Sequence, residues 1–213
     1  MDSSSLLPPM NSPHLAKLIK RLPELAVCEA SIAEAYTALH DCFKSGGKIL
    51  LCGNGGSAAD ADHWAGELLK GFCKMRPLPA KERKKLPPYV ARRLQGALPA
   101  IPLTNFTALG SAFLNDVDGD LVYAQLTSAL GRRGDVLVAL STSGNAANVC
   151  HAVRTAHARG LRTVALTGAG GGRLRGLADI CIRVPARETY RAQEYHLPIY
   201  HCLSLMLEDA FFS

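Results

Sequence analysis

The sequence lacks the patterns that mark several common classes of protein. Its seven cysteines include no Cys-x-x-Cys pair and mostly lie among apolar residues, which predicts reduced core thiols and excludes a zinc ribbon or a disulfide framework. No apolar run is long enough to cross a bilayer, and the start lacks the basic and apolar regions of a secretory signal, so we expect a cytoplasmic protein. Neither a complete GxGxxG nor a GxxxxGK[ST] pattern occurs, which argues against a dinucleotide-binding fold and a nucleotide hydrolase.

The composition fits one globular α/β domain, because 48% of the 213 residues are hydrophobic. The net charge of +6 is concentrated in one segment, because residues 70–93 hold nine basic side chains and one acidic side chain. This segment overlaps a proline-rich excursion predicted at residues 73–98, within which a short helix is predicted at 90–95. A charge confined to one segment argues against a nucleic-acid partner, for which a basic surface would extend further.

A glycine-rich turn follows the first apolar run of the chain. The run from Ile49 to Cys52 predicts a short strand buried on both faces, and a helix is predicted from about Ala58. Between them, Gly53 to Ser57 can bring bare backbone N–H groups to a helix N-terminus, where phosphate binds. The same strand, turn and helix also occur in α/β proteins without a site, so the turn alone leaves a structural alternative open.

The predicted helix carries two side chains suited to proton transfer. His63 and Glu67 lie four residues apart and therefore on one face, with Asp60 one turn earlier. An acid/base pair on the helix that the anion-binding turn opens favours a catalytic site over a purely structural turn.

A second strand and polar turn repeat this arrangement later in the chain. Residues 135–140 predict a buried strand, and Ser141-Thr142-Ser143 then precedes a helix predicted over 146–159. Hydroxyl and N–H groups there can surround a phosphate. Because strands and helices alternate, we expect a parallel sheet covered on both faces, with both turns at the carboxyl ends of its strands.

The prediction also includes three helices towards the two ends of the chain. They are a short helix from Pro13 to about Arg21, a long amphipathic helix over 24–44, and a final helix over 190–211. The final helix is apolar on several sides and contains Gln193, His196 and His201. Taken singly, His201 fits a buried core histidine better than a catalyst.

Three ordered motifs give the sequence a family resemblance. CGNGGSAADADHWAGEL from Cys52, LSTSGNAANV from Leu140 and RAQEYHLPIYH from Arg191 together resemble the sugar isomerase (SIS) family and, within it, the phosphoheptose isomerases. The resemblance implies a flavodoxin-like parallel sheet of five strands, a single SIS domain at 24–213, and an N-terminal segment at 1–23 with a short helix. It also implies a homotetramer and isomerisation of a ketose phosphate to an aldose phosphate, with sedoheptulose 7-phosphate to a manno-heptose 7-phosphate as the expected reaction.

The resemblance also implies roles for individual residues. Glu67 and His201 correspond to the catalytic acid/base pair of the family. A zinc site found in some members corresponds to His63, Glu67, Gln193 and His201. The residues implied to contact the sugar phosphate are Asn54, Gly55, Gly56, Ser57, Asn105, Ser141, Thr142, Ser143 and Gln193.

Four departures from the family pattern concern the sugar. Ala146 stands where a serine is usual, no aspartate occurs near Phe106, Gly71 replaces an arginine, and the basic excursion is longer. The chemistry looks retained while sugar recognition looks altered.

Two other functions stay open at this point. The chain could be a non-catalytic relative that binds a partner protein, as some SIS proteins bind a replication initiator, or a sensor of a sugar phosphate. Retention of His63, Glu67, Gln193 and His201 favours the enzyme, because a scaffold needs none of them.

Overall fold

A computed structural model describes residues 12–212 of the chain, in which five strands alternate with helices. Residues 1–11, the first part of the predicted N-terminal segment, lie outside the described residues. The strands are β1 (Ile49–Gly53), β2 (Ala100–Pro102), β3 (Val136–Leu140), β4 (Arg162–Thr167) and β5 (Ile180–Arg183). The helices are α1 (Pro13–Arg21), α2 (Glu29–Lys44), α3 (Gly56–Leu69), α4 (Ala80–Arg83), α5 (Pro88–Ala91), α6 (Thr107–Asp116), α7 (Val122–Leu130), α8 (Ala147–Ala158), α9 (Leu174–Leu177) and α10 (Thr189–Phe211).

The five strands form one parallel sheet in the order β2-β1-β3-β4-β5. This is the flavodoxin-like order, in which the strand order changes direction between β1 and β3 while all strands stay parallel. It confirms the predicted fold class. Pro102 lies on β2 at the edge of the sheet, where the missing N–H of proline costs no ladder hydrogen bond.

Alternation along the strands divides the core into two apolar layers. Leu51 and Val138 point to the layer formed by α1, α2, α3 and α10, whereas Leu50 and Leu137 point to the layer formed with α7 and α8. Every residue of β1 and β3 is buried, as expected of central strands covered by helices on both faces. Their pairing runs in register from Ile49 beside Val136 to Gly53 beside Leu140, so the carboxyl ends of these two strands lie at the same level.

Two helix boundaries differ from the prediction. The long helix predicted over 24–44 is a 3-10 helix at Pro23–Cys28 followed by α2. The tighter turn is tied to the sheet, since Cys28 Sγ donates to the carbonyl oxygen of Arg183 at 3.1 Å. The short helix predicted at 90–95 is instead α5, which begins at a proline, where the ring and the absent N–H suit the first helical turn.

None of the helices in residues 12–212 combines the length and apolar character that crossing a membrane requires.

Candidate active site

The two predicted polar turns meet at the carboxyl edge of the sheet. Strands β1 and β3 pair with Gly53 beside Leu140, so the turns that follow them are neighbours. Asn54 and Asn148 join them through two reciprocal amide hydrogen bonds of 2.9 Å each. The turns therefore form one site at the point where the strand order reverses, which is where open α/β sheets bind ligands.

The first turn brings the N-terminus of α3 against α10. Gly55 has a φ of +55°, a conformation that glycine adopts without strain, and Ser57 N–H donates to Asn54 O at 3.0 Å. A Cβ at Gly56 would lie 2.9 Å from Gln193 Oε1 and nearer still to the amide nitrogen. Only glycine lets the Gln193 side chain reach the first turn of α3, and the structure thus places Gln193 with Asn54, Gly55, Gly56 and Ser57.

The second turn is held by backbone hydrogen bonds and borders a cavity. Ser141 N–H donates to Leu166 O at 3.0 Å, and Thr142 O accepts from Gly168 N–H at 2.8 Å. Gly144 has a φ of +67° and packs directly on the glycine turn after β4. The adjoining cavity of about 430 Å³ is lined by Thr142, Ser143, Gly168, Ala169, Gly170, Ala186 and Arg187. Its size and polar lining suit a small phosphorylated ligand.

The predicted acid/base residues lie side by side on α3 and α10. His63 Nε2 is 3.1 Å from Glu67 Oε1, and the ring centroids of His63 and His201 are 5.2 Å apart. Lys70 Nζ lies 3.3 Å from the other Glu67 oxygen. His201 Nε2 is buried and has no hydrogen-bond partner among the described residues, so no other protein group engages this nitrogen.

The Tyr200 hydroxyl connects His63 to Asp60. It lies 3.0 Å from His63 Nδ1 and 3.3 Å from Asp60 Oδ1. One hydroxyl proton can serve only one of these acceptors. When it goes to Asp60, a neutral His63 donates from Nδ1 to the tyrosine oxygen, and its Nε2 then faces the Glu67 carboxylate with no proton between them. A proton or a cation between His63 Nε2 and the Glu67 carboxylate is then needed to join these two groups.

Burial and neighbouring charges shift three pKa values at this site. Burial, followed by the neighbouring His63, lowers the pKa of His201, although the Glu67 carboxylate partly opposes this. Burial raises the pKa of Asp60 despite the hydrogen bond from Tyr200. Burial and the Asp60 charge raise the pKa of Tyr200. His201 is thereby favoured as a neutral imidazole near neutral pH.

Three of the four predicted zinc ligands, His63, Glu67 and His201, lie close together, whereas the Gln193 amide lies against Gly56, and the four do not form a ready coordination sphere. Within residues 12–212, no group of three or more His, Cys, Asp or Glu side chains has an arrangement that could hold a metal ion. The donor chemistry nevertheless suits zinc, because two imidazoles and a carboxylate are among its usual protein ligands. The hydrogen bond of His63 Nδ1 to Tyr200 is also of the kind that orients a metal-ligating histidine.

One predicted substrate residue is not tied to the others, and three residues beside the predicted site were not predicted. Asn105 ends the 3-10 turn after β2, is exposed, and makes no hydrogen bond to the other predicted site residues in the described part of the chain. Asn148, Tyr200 and Arg187 were missed. Asn148 lies within the LSTSGNAANV motif, which could have indicated it, whereas Tyr200 and Arg187 are brought in only by long-range packing.

The basic excursion is folded back on itself and mostly exposed. An isolated antiparallel bridge joins Pro77 to Gln95, with α4 and α5 between them. Arg93 packs on the Tyr89 ring with its guanidinium carbon 3.9 Å from the ring centroid. Arg76, in contrast, is fully buried and contacts the end of α3.

The family model described as SIS domain matches this chain at residues 14–83 and 92–168, so it leaves out 84–91 within the basic excursion and both ends of the chain. The phosphoheptose isomerase of Rhodospirillum rubrum is 41% identical over 186 residues, which is 87% of this chain and 89% of that protein. The phosphoheptose isomerase of Thiobacillus denitrificans is 48% identical over 178 residues, 81% of this chain and 79% of that protein.

Solved structures agree with these sequence comparisons. A phosphoheptose isomerase from Neisseria gonorrhoeae superposes with a TM-score of 0.74 at 35% identity, covering 92% of this chain and 95% of that one. One from Francisella tularensis gives 0.75 at 32% identity over the same shares.

Proposed function

This chain belongs to the SIS domain family and matches its phosphoheptose isomerases, and from that premise we propose that it converts sedoheptulose 7-phosphate to a manno-heptose 7-phosphate. One observation supports the proposal above the others. His63 and Glu67 stand on the helix that the first turn opens, His201 on α10 lies against His63, and Asn54 and Asn148 join the first turn to the start of α8 after the second.

The reaction moves a carbonyl by one carbon through an enediolate. Glu67 acts as the base that removes the proton from the carbon beside the carbonyl, and His201 exchanges a proton with the carbonyl and hydroxyl oxygens. The proton taken by Glu67 returns to the neighbouring carbon, so no oxidant or reductant is consumed. The turns at Ser57 and at Ser141 to Ser143 hold the phosphate, with Asn105 and Gln193 proposed as sugar contacts.

The decisive experiment incubates the protein with a panel of ketose phosphates in deuterated water and measures label in the substrate and product. We expect deuterium at the carbon next to the carbonyl with the seven-carbon phosphate, because the abstracted proton exchanges with solvent. A protein that binds the sugar phosphate but gives neither exchange nor aldose would instead be a sensor or a partner-binding relative.

We also propose a zinc ion held by His63, Glu67, Gln193 and His201. Bound zinc would supply a Lewis acid for the carbonyl and hydroxyl oxygens. The closeness of His63 Nε2 to Glu67 Oε1, at 3.1 Å, and the buried His201 Nε2 without a hydrogen-bond partner among the described residues support this.

For the metal, we expect elemental analysis of purified protein to find zinc, and His63→Ala to lose most of it. His157→Ala is the matched control, because this histidine contacts Thr163 near the start of β4, away from the site. Equal zinc contents in the two variants would contradict the proposed ligand set.

We also propose that the chain forms a homo-oligomer, most simply a homotetramer. Leu197 and Tyr190 on α10 are 38% and 63% exposed, and Leu197 lies between Gln193 and His201 on one line of that helix. A second copy covering this line would enclose the site and remove apolar surface from water. Light scattering at micromolar concentration should give a multiple of 22.7 kDa, and a monomeric mass would overturn the proposal.

A further inference from the structure

A buried ion pair joins the two elements that carry the proposed base and acid. Arg76 Nε donates to Glu208 Oε1 at 2.7 Å, and the two side chains are 0% and 1% exposed. Burying two charges is costly unless further polar groups surround them. The additional partners of this pair therefore indicate what it holds in place.

At one end, the Arg76 guanidinium binds the last turn of α3. Its Nη1 donates to Leu68 O at 2.9 Å and its Nη2 donates to Glu67 O at 3.3 Å. Carbonyls in the last turn of a helix have no partner within the helix, and a cation there also complements the helix dipole. Arg76 thus fixes the main chain of Glu67 itself.

At the other end, the Glu208 carboxylate holds the loop that follows α3. It accepts hydrogen bonds from the N–H groups of Phe72, Cys73 and Lys74 at 2.9, 2.9 and 3.0 Å. Burial would raise the pKa of Glu208, but these hydrogen bonds and Arg76 outweigh it, and the pKa lies below its usual value. Glu208 is therefore a charged acceptor at neutral pH.

The same loop contacts His201 directly. The Phe72 ring lies against the His201 ring, with centroids 5.3 Å apart. Glu208 follows His201 by seven residues, so about two helical turns separate them on one side of α10. The carboxylate that anchors Phe72 therefore belongs to the same rigid helix as the histidine that Phe72 contacts.

We propose that Arg76 and Glu208 are positioning residues, which set the end of α3 against α10 and so hold Glu67 and His201 in reacting geometry. This rests on the proposed function. A misplacement of about 1 Å far from the chemistry can cost about 10²-fold in rate, so a clamp one hydrogen bond from the Glu67 main chain should affect turnover. If the pair only anchored the loop, turnover per folded molecule would not depend on it.

Arg76→Lys keeps the positive charge but loses the planar fork that reaches Glu208 and both carbonyls at once. We expect kcat to fall at least about 10-fold in this variant while KM stays within about twofold, since the phosphate-binding turns are untouched. Glu208→Gln should act in the same direction. Both are measured at a temperature where circular dichroism shows the variant folded.

Asp209→Asn is the matched control. Asp209 binds Lys74 Nζ at 2.8 Å and so ties the same loop to the same helix, but with both side chains more than 40% exposed. We expect wild-type kcat and KM from it. A folded Arg76→Lys protein with wild-type kcat, or a loss of kcat that matches the unfolded fraction, would overturn the positioning role.

Hydrogen exchange over residues 66–76 tests the clamp without using activity. We expect faster exchange there in Arg76→Lys than in the wild type or Asp209→Asn, and equal rates would overturn the proposal. If wild-type protein isomerises no ketose phosphate, the proposed function fails, and the exchange result separates that failure from failure of the clamp.

Discussion

Replacing Glu67 by glutamine is expected to lower turnover at least about 10²-fold, the usual scale for a positioned acid or base. The amide keeps the size and hydrogen-bonding capacity of the side chain but has no basic oxygen to take a proton from carbon. His63 Nε2 lies 3.1 Å from Glu67 Oε1, so a glutamine oxygen can still accept from that ring and the local fold should persist. The measurement is kcat, together with the rate of deuterium exchange into substrate.

Binding of the sugar phosphate should survive this change. The turns at Ser57 and at Ser141 to Ser143, which we propose hold the phosphate, are not touched by the substitution, so calorimetry should give a dissociation constant close to that of the wild type. Glu34→Gln, on the exposed face of α2, controls for the loss of one carboxylate. Near wild-type turnover in Glu67→Gln would refute the mechanism. A variant that is inactive and also binds neither substrate nor metal would make Glu67 a structural ligand and move the base to His201.

The local half of this site could be predicted from the sequence, because its geometry is set within one helix. His63 and Glu67 are four residues apart, and the α-helix alone places them in contact. The turns before α3 and α8 follow from buried strands, glycine and hydroxyl residues, and their adjacency follows from the parallel sheet. These features depend on periodicity and turn chemistry, which act over a few residues.

The remainder depends on contacts that no local pattern encodes. His201 joins His63 only because α10 packs on α3, 138 residues further along the chain, and helical periodicity by itself favoured a core role. Tyr200 was not predicted, because its helix is largely apolar and an aromatic residue there is expected to pack in the core. Its ring does stack on that of Trp64, with the centroids 5.5 Å apart. Arg76 was counted only as one of nine basic residues in the segment 70–93, whereas the structure buries it completely. In each case tertiary packing overrode the pattern of the segment.

Gly144→Ala is the substitution expected to harm substrate binding most. Gly144 has a φ of +67°, and a Cβ there would overlap the carbonyl oxygen of Gly171, which belongs to the glycine turn after β4. The overlapping atoms belong to the main chain, which cannot move aside as the end of a flexible side chain can. The two turns must therefore separate. A strained backbone position of this kind costs on the order of 1–3 kcal/mol, and the steric overlap adds to it. We expect the free energy of unfolding to fall by at least about 2 kcal/mol.

The displaced turn should also lose affinity for phosphate. Thr142 and Ser143 line the cavity, and two hydrogen bonds hold their turn there, from Gly168 N–H to Thr142 O at 2.8 Å and from Leu174 N–H to Gly144 O at 3.0 Å. Each charge-assisted hydrogen bond to the phosphate that is lost removes about 1.5–3 kcal/mol, so KM should rise at least about 10-fold. Glu67 and His201 stand on other elements, and kcat at saturating substrate should fall much less.

Gly170→Ala provides the control for this prediction in the same pair of turns. Gly170 lines the same cavity, but a Cβ there meets nothing within 4 Å. We expect its KM and unfolding free energy to stay close to those of the wild type. Equal KM values for the two alanine variants would place the phosphate away from the Ser141 turn. A fall in kcat for Gly144→Ala as large as that for Glu67→Gln would show that the turn also sets the reacting geometry. We expect a raised KM with preserved kcat in Gly144→Ala, and a lowered kcat with preserved substrate binding in Glu67→Gln. That result would separate phosphate binding from proton transfer within one site.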